Sequence, residues 1–168
     1  MYRTKEDKWN TLEELAVATL LKGQGIDTSC HYIQLYVNPT FSNKFILEFE
    51  MMQNHVNWYS TVWKSDLDRL KIYSAPLEKE IPEPTFNFKK GSFSKENFNF
   101  IYDLVQKISI SPFIHDDWGD MRDGKIYTLT IGFKGCVVNY RWHYLPDSWA
   151  ILGEIAERIL EINKTLKE

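Results

Sequence analysis

Hydrophobic and polar positions alternate strictly along two parts of the chain, and each part reads as a β-hairpin. In the first, Phe45, Leu47, Phe49 and Met51 alternate with Ile46, Glu48 and Glu50. A turn near Gln53-Asn54 then leads into Val56 through Lys64. Pairing about that turn sets Met51 beside Val56, Phe49 beside Trp58 and Phe45 beside Val62, with Glu50 and Glu48 opposite Asn57 and Tyr59. One face is dry and one is wet. In the second hairpin, Tyr127, Leu129, Ile131 and Phe133 alternate with Thr128, Thr130 and Gly132. Closing it at Lys134-Gly135 places Phe133 opposite Cys136, Ile131 opposite Val138, Leu129 opposite Tyr140 and Tyr127 opposite Trp142. A one-residue slip would mix the two faces, so the pattern fixes the register. A four-residue loop with the same register is the other way to close it. A further strand is expected from His31 to Val37.

Elsewhere the period changes to that of a helix. Ile151, Leu152, Ile155, Ala156, Ile159, Leu160, Ile162 and Leu166 fall on one half of a helical wheel, with Glu154, Glu157, Arg158, Glu161 and Lys164 on the other. Pro146 stops the preceding strand, Asp147 or Ser148 supplies an N-cap, and Trp149 anchors the first turn. Glu154 and Arg158 are spaced for an i,i+4 pair. Thr11-Leu12-Glu13-Glu14 matches a capping box, predicting a helix from Leu12 to about Lys22 that ends at Gly23 and Gly25. Ser94 caps a helix from Lys95 to Lys107, with Phe98, Ile101, Leu104, Val105 and Ile108 facing the core. Asp66 to Tyr73 fits a short helix or a strand. Pro76 to Gly91 carries Pro76, Pro82 and Pro84 and reads as a crossing loop. The expectation is one α+β domain over residues 1–168, with the crossing loop at 76–91. Its antiparallel sheet has about five to six strands, with three helices packed on one face.

Composition supports a folded domain: of 168 residues, 43% are hydrophobic and 26% charged. A net charge of −3 argues against a nucleic-acid binder, whose affinity needs a basic surface. No apolar run approaches the roughly 18 residues of a membrane span, and Met1 to Asn10 are too polar for a secretory signal. Cys30 and Cys136 form neither a disulfide framework nor a zinc motif, so they read as reduced, buried thiols in a cytoplasmic protein.

The stretch richest in chemistry is His115-Asp116-Asp117-Trp118-Gly119-Asp120-Met121-Arg122-Asp123. Its ordinary reading is an exposed acidic turn. Its functional readings are a partner-binding loop built on His115, Asp116, Asp117, Trp118 and Asp120, or a site where His115, Asp116, Asp117 and Asp120 hold a divalent cation. The spacing is not that of an EF-hand. Arg141 and His143 lie on the polar face of the last strand. Their ordinary reading is a solvated sheet face or cross-strand partners for Thr128 and nearby carboxylates; on an open face they suit an anion or acid–base chemistry. His31 and His55 look isolated. Tyr32, Tyr36, Tyr59 and Trp63 form either an exposed aromatic surface or a second layer of core beneath helices. No phosphate loop, nucleophile elbow or zinc-protease motif is present, and no cofactor is implied.

Asp123-Gly124-Lys125-Ile126-Tyr127-Thr128-Leu129, with Tyr140-Arg141-Trp142, Pro146 and Trp149-x-x-Leu152, resembles the C-terminal hairpin and helix of small uncharacterised bacterial proteins. Some of these are similar to immunity proteins of bacterial toxin systems. The resemblance covers roughly the last quarter of the chain and rests on a fold motif, so no functional residue carries over. It implies an interaction protein without catalysis. The expectation is a non-catalytic cytoplasmic protein-binding domain, immunity-like, with a protein partner and with neither nucleic acid nor membrane as a partner. The oligomeric state stays open. The alternative is a small metal-dependent enzyme using residues 115–123.

Overall fold

A computed structural model describes residues 4–23, 30–40, 42–109, 124–133 and 135–165. Six antiparallel strands form one open sheet: β1 (His31–Pro39), β2 (Phe45–Met51), β3 (His55–Trp63), β4 (Phe86–Ser94), β5 (Lys125–Phe133) and β6 (Cys136–Trp142). Their spatial order is β4-β3-β2-β1-β5-β6. Both hairpins have the register that alternation dictates. Phe49 faces Trp58 and Glu48 faces Tyr59 in one, and Leu129 faces Tyr140 and Phe133 faces Cys136 in the other. Gly135 supplies the positive φ of the second turn, at +82°; Lys134 lies outside the described residues.

Among the described residues, four α-helices accompany the sheet: α1 (Lys5–Lys22), α2 (Ser65–Ser74), α3 (Asn99–Gln106) and α4 (Ala150–Thr165). They do not lie on one face, as the sequence suggested, but two on each. Ile33, Leu35, Leu47, Phe49, Leu129 and Trp142 pack against Phe98, Ile101 and Leu104 before and within α3 and against Leu152, Ile155 and Ile159 of α4. On the opposite side, Tyr36, Ile46 and Trp63 pack against Leu12, Ala16 and Leu20 of α1 and Ile72 of α2. The reason is that the sheet is apolar on both faces near its middle, so one covering layer would leave Trp63 and Ile46 in water. The aromatic residues on that second face therefore form core, with Tyr32, Tyr36 and Trp63 buried and Tyr59 half-buried. The face expected to be wet is covered at Glu48 and Glu50, which are both buried.

Several boundaries shift for identifiable reasons. Helix α1 begins seven residues earlier than expected, at Lys5 instead of Leu12, because the working capping box is Thr4-x-x-Asp7. The Asp7 N–H donates to Thr4 Oγ1 (3.0 Å), and the Thr4 N–H donates to the Asp7 carboxylate (2.9 Å). Thr11 is inside the helix and bonds back to the Asp7 carbonyl at 2.9 Å. Asp66 to Tyr73 belongs to helix α2. The proposed crossing loop at 76–91 is too long. Its prolines end at Pro84, and Phe86–Ser94 is an edge strand paired with β3 through Trp63↔Phe86 and Val56↔Phe93. Most of β4 is exposed, so no apolar alternation advertises it. A 3-10 turn, Asp147–Trp149, leads into α4 with Pro146 at its N-cap and no side-chain cap. Arg158 pairs with Glu161 (2.9 Å), not with Glu154. Cys136 is exposed and Cys30 half-buried, so neither is the buried thiol expected.

The two sheet edges differ. Edge strand β4 carries Lys89 and Lys90, which blunt it against pairing. Edge strand β6 is exposed from Cys136 to Asn139, with Val137 and Val138 on opposite faces and no charge before Arg141.

Asp68 holds the α2 side together. Its carboxylate is 0% exposed. It accepts from Trp63 Nε1 (2.8 Å), the Thr85 N–H (2.7 Å), Thr85 Oγ1 (2.5 Å) and Lys71 Nζ (3.0 Å). Burial by itself would raise its pKa, but these four donors outweigh burial and hold it below the ordinary carboxylate value. A depressed folded pKa stabilises the fold above the unfolded value of about 3.9 and loses that contribution as pH falls through the folded value. Asp68→Ala should therefore cost about 3 kcal/mol, because the Trp63 and Thr85 donors are left unpaired. Urea titration checks this, and the acid loss of stability below about pH 4 should be shallower in Asp68→Asn. A second prediction concerns the β1–β5 ladder. The Tyr32 ring occupies the place that a Gly132 side chain would take. Gly132→Val should destabilise by about 1–3 kcal/mol through overpacking, read as a lowered thermal midpoint.

Candidate functional site

Of the residues singled out in the sequence, His115, Asp116, Asp117, Trp118 and Asp120 lie outside the described residues. Arg141 and His143 are placed. Register sets Tyr36, Thr128 and Arg141 in one row across β1, β5 and β6, on the α1 side. Arg141 is exposed there. His143 follows β6, half-buried, with its ring against Tyr144 at 5.1 Å and directly over Gly124. Arg141, His143 and the point where the chain re-enters the sheet after residue 123 thus share one corner. At that corner the Tyr36 hydroxyl and His143 Nδ1 are buried with no hydrogen-bond partner among the described residues. Burial, and then the charge of Glu13, push the Tyr36 phenol up to about 12, against an opposing pull from Arg141.

Further along the same face lies a polar network. Gln34 Nε2 donates to Glu48 Oε1 at 3.0 Å, and Asn57 Nδ2 donates to Glu50 Oε2 at 3.1 Å. Gly23, at the end of α1 with φ +67°, sits against Glu48, where any side chain would collide with the carboxylate. Burial and the adjoining Glu50 and Glu48 raise the pKa of Tyr59. Among the described residues, no three His, Cys, Asp or Glu side chains come together to hold a metal ion.

The third feature is the outer surface of α1 and α2, which sequence reasoning missed. Trp9 and Trp63 stack at 5.4 Å. The Arg69 guanidinium lies 5.6 Å from the Trp9 ring and 5.7 Å from the Tyr73 ring. Lys44, paired with Glu13 at 2.5 Å, lies 5.7 Å from the Trp63 ring. Tyr73 donates to Glu6 at 2.6 Å, which ties α2 to α1. Beside this cluster Leu67 is 51%, Leu70 68% and Tyr73 40% exposed. A depression of about 440 Å³ runs over Asp66, Arg69, Leu70 and Tyr73. It adjoins a smaller one of about 220 Å³ through the shared Asp66 and Arg69, with Trp9, Lys44 and Trp63 in its wall.

Helix α2 is inverted: its buried residues are Asp68 and Ile72, while two leucines face solvent. In the sequence, Asp66 to Tyr73 fits a helix or a strand, and neither assignment by itself points Leu67 and Leu70 outward. The one available signal was the indole of Trp63, which needs an acceptor when buried and finds it in Asp68. Comparison of the chain with known protein families, with curated proteins and with solved structures found no match.

The Tyr36 hydroxyl, without a partner among the described residues, makes a testable difference. Tyr36→Phe should be neutral or stabilising by up to about 1 kcal/mol, since a buried hydroxyl without a partner contributes no bond. A loss above that in chemical denaturation would show that the hydroxyl is satisfied. The raised phenol also implies a contribution present below pH 10 and lost as pH rises toward about 12. Tyr36→Phe should lack this alkaline term.

Proposed function

We propose that the chain is a non-catalytic protein-binding domain whose docking surface is the outer face of α1 and α2. The observation that carries this reading is the inversion of α2. A helix that buries an aspartate and exposes two leucines gains nothing within its own fold from the leucines. Contiguous exposed apolar surface of this kind marks a contact with another molecule. Its neighbours supply the side chains that dominate protein interfaces: Trp9, Tyr73 and an arginine held between them. Arg69 is preorganised by the two rings, so little side-chain freedom is lost on binding. Around it, Lys44, Glu13 and Asp66 provide a mixed-charge rim that would set orientation more than strength.

An immunity-like role, in which this face covers the working surface of a toxin, is the specific form suggested by the hairpin-and-helix resemblance. A cytoplasmic setting is part of the same proposal. No helix among the described residues is long and apolar enough to cross a membrane. The metal-dependent enzyme on residues 115–123 gains no separate support from the described residues.

A photoreactive residue at position 70 should capture one specific partner from the native host, and the same group placed on the exposed side of α4 should not. Arg69→Ala should weaken that partner's binding by about 2 kcal/mol or more, roughly thirtyfold in Kd. Capture that is unchanged by Arg69→Ala and Leu67→Asp would remove this surface from consideration.

A further inference from the structure

The inner junction of α1, α2 and the proline-rich connection forms a second, separate hollow. It measures about 420 Å³ and is bounded by Lys8 of α1, by Lys71, Ile72 and Ala75 at the end of α2, and by Lys79, Glu80, Ile81 and Pro82. That volume is within the range of small-molecule sites.

Three features define its chemistry. The first is Lys8, which is only 4% exposed. Lysine is rarely buried without strong compensation. Its ammonium donates to the Lys79 carbonyl, which holds the connection against α1. A second hydrogen bond, from the Lys79 N–H to the Pro76 carbonyl at 3.3 Å, sets the local turn, so the hollow is preformed. The second feature is charge. Lys8, Lys71 and Lys79 are at the wall, against the single carboxylate of Glu80. Lys71 is steadied by Asp68 and by Thr85 Oγ1 (2.5 Å), while the Lys79 ammonium has no ion-pair partner among the described residues. The third is the floor. Ile72, Ala75, Ile81 and Pro82 are apolar, and Ile72 is continuous with the core beneath α1.

We propose that this hollow binds a small monocarboxylate with an apolar body, such as a short acyl or aryl acid. The carboxylate would lie toward Lys71 and Lys79, with the body over Ile72, Ile81 and Pro82. A free phosphate fits the site less well. Phosphate sites use converging backbone N–H groups, whereas the prolines here lack N–H. A lysine ammonium pairs with either anion as a point charge, so the discrimination rests on the apolar floor, which has no role for a bare anion. This site is independent of the protein-binding reading, shares no lining residue with the Arg69–Leu70 surface and stands if that reading fails.

The test is titration of the intact chain with hexanoate, followed by calorimetry and by amide chemical shifts. Hexanol serves as the uncharged analogue and inorganic phosphate as the bare anion. Hexanoate should bind saturably in roughly the millimolar range, with shifts centred on Ile72, Ala75 and Ile81. Hexanol and phosphate should each bind about tenfold more weakly or not at all. Lys79→Met, an exposed position whose side chain makes no hydrogen bond or ion pair among the described residues, should weaken hexanoate by about tenfold. Ile81→Asn should abolish binding, while circular dichroism verifies that the variant is folded. The proposal is overturned by any of three results: no saturable hexanoate binding, equal binding of hexanol or phosphate, or hexanoate binding unaffected by Lys79→Met.

Discussion

The ladder between β1 and β5 is the constraint on which the rest depends. The sheet is two local pieces, the β1-β2-β3-β4 meander and the β5-β6 hairpin, and this ladder alone joins them. It runs from Tyr32↔Gly132 to Pro39↔Lys125. Thr40 closes its end by exchanging bonds with Gly124 across 84 residues of chain: Thr40 Oγ1 donates to the Gly124 carbonyl at 2.8 Å and accepts from the Gly124 N–H at 3.1 Å. Closing so long a loop costs entropy that local hairpins do not incur. The Tyr32 ring lying on Gly132, and Leu35 opposite Leu129 in the deepest core, offset it. The ladder also decides which side chains share a row, and hence that Arg141 stands across Thr128 from Tyr36.

The two sides of the sheet serve different ends. The α3–α4 side is a continuous apolar core in which Phe49, Phe93 and Phe98 meet ring to ring, Phe49 and Phe98 at 4.9 Å. The α1–α2 side holds the buried carboxylates, the stacked tryptophans and the hollows. Polar burial there is met by specific partners, as at Asp68, and that need for partners fixes the placement of α2 more narrowly than apolar packing does. The same tight placement presents Leu67, Leu70 and Arg69 outward.

What could be read in the sequence follows from this division. Both hairpin registers were legible to the residue, because alternation has only two phases and a slip is costly. The core stripes of α3 and α4 were legible for the same kind of reason. The pairing of β1 with β5 had no local signature, since nothing near Ile33 names Ile131. Strand β4 was hidden because its side chains are exposed, and α1's true start because Thr4 and Thr11 both present capping patterns. Arg141 and His143 could be assigned to a face, but not to a corner shared with Tyr36. The α2 surface escaped because it breaks the rule being applied: the residue inside is an aspartate that Trp63 and Thr85 require, and the residues outside are leucines. Such local violations are where function concentrates.

The unequal edges of the sheet bear on how copies of this protein can meet. Among the described residues, strand β6 is an edge with an uncharged run from Cys136 to Tyr140, while Lys89 and Lys90 guard β4. A strand recruited by β6 meets the more receptive of the two edges. Two copies joined there about a two-fold axis would turn guarded lysine edges outward at both ends. Sheet extension would then stop after a single step, giving a closed pair and not a fibre.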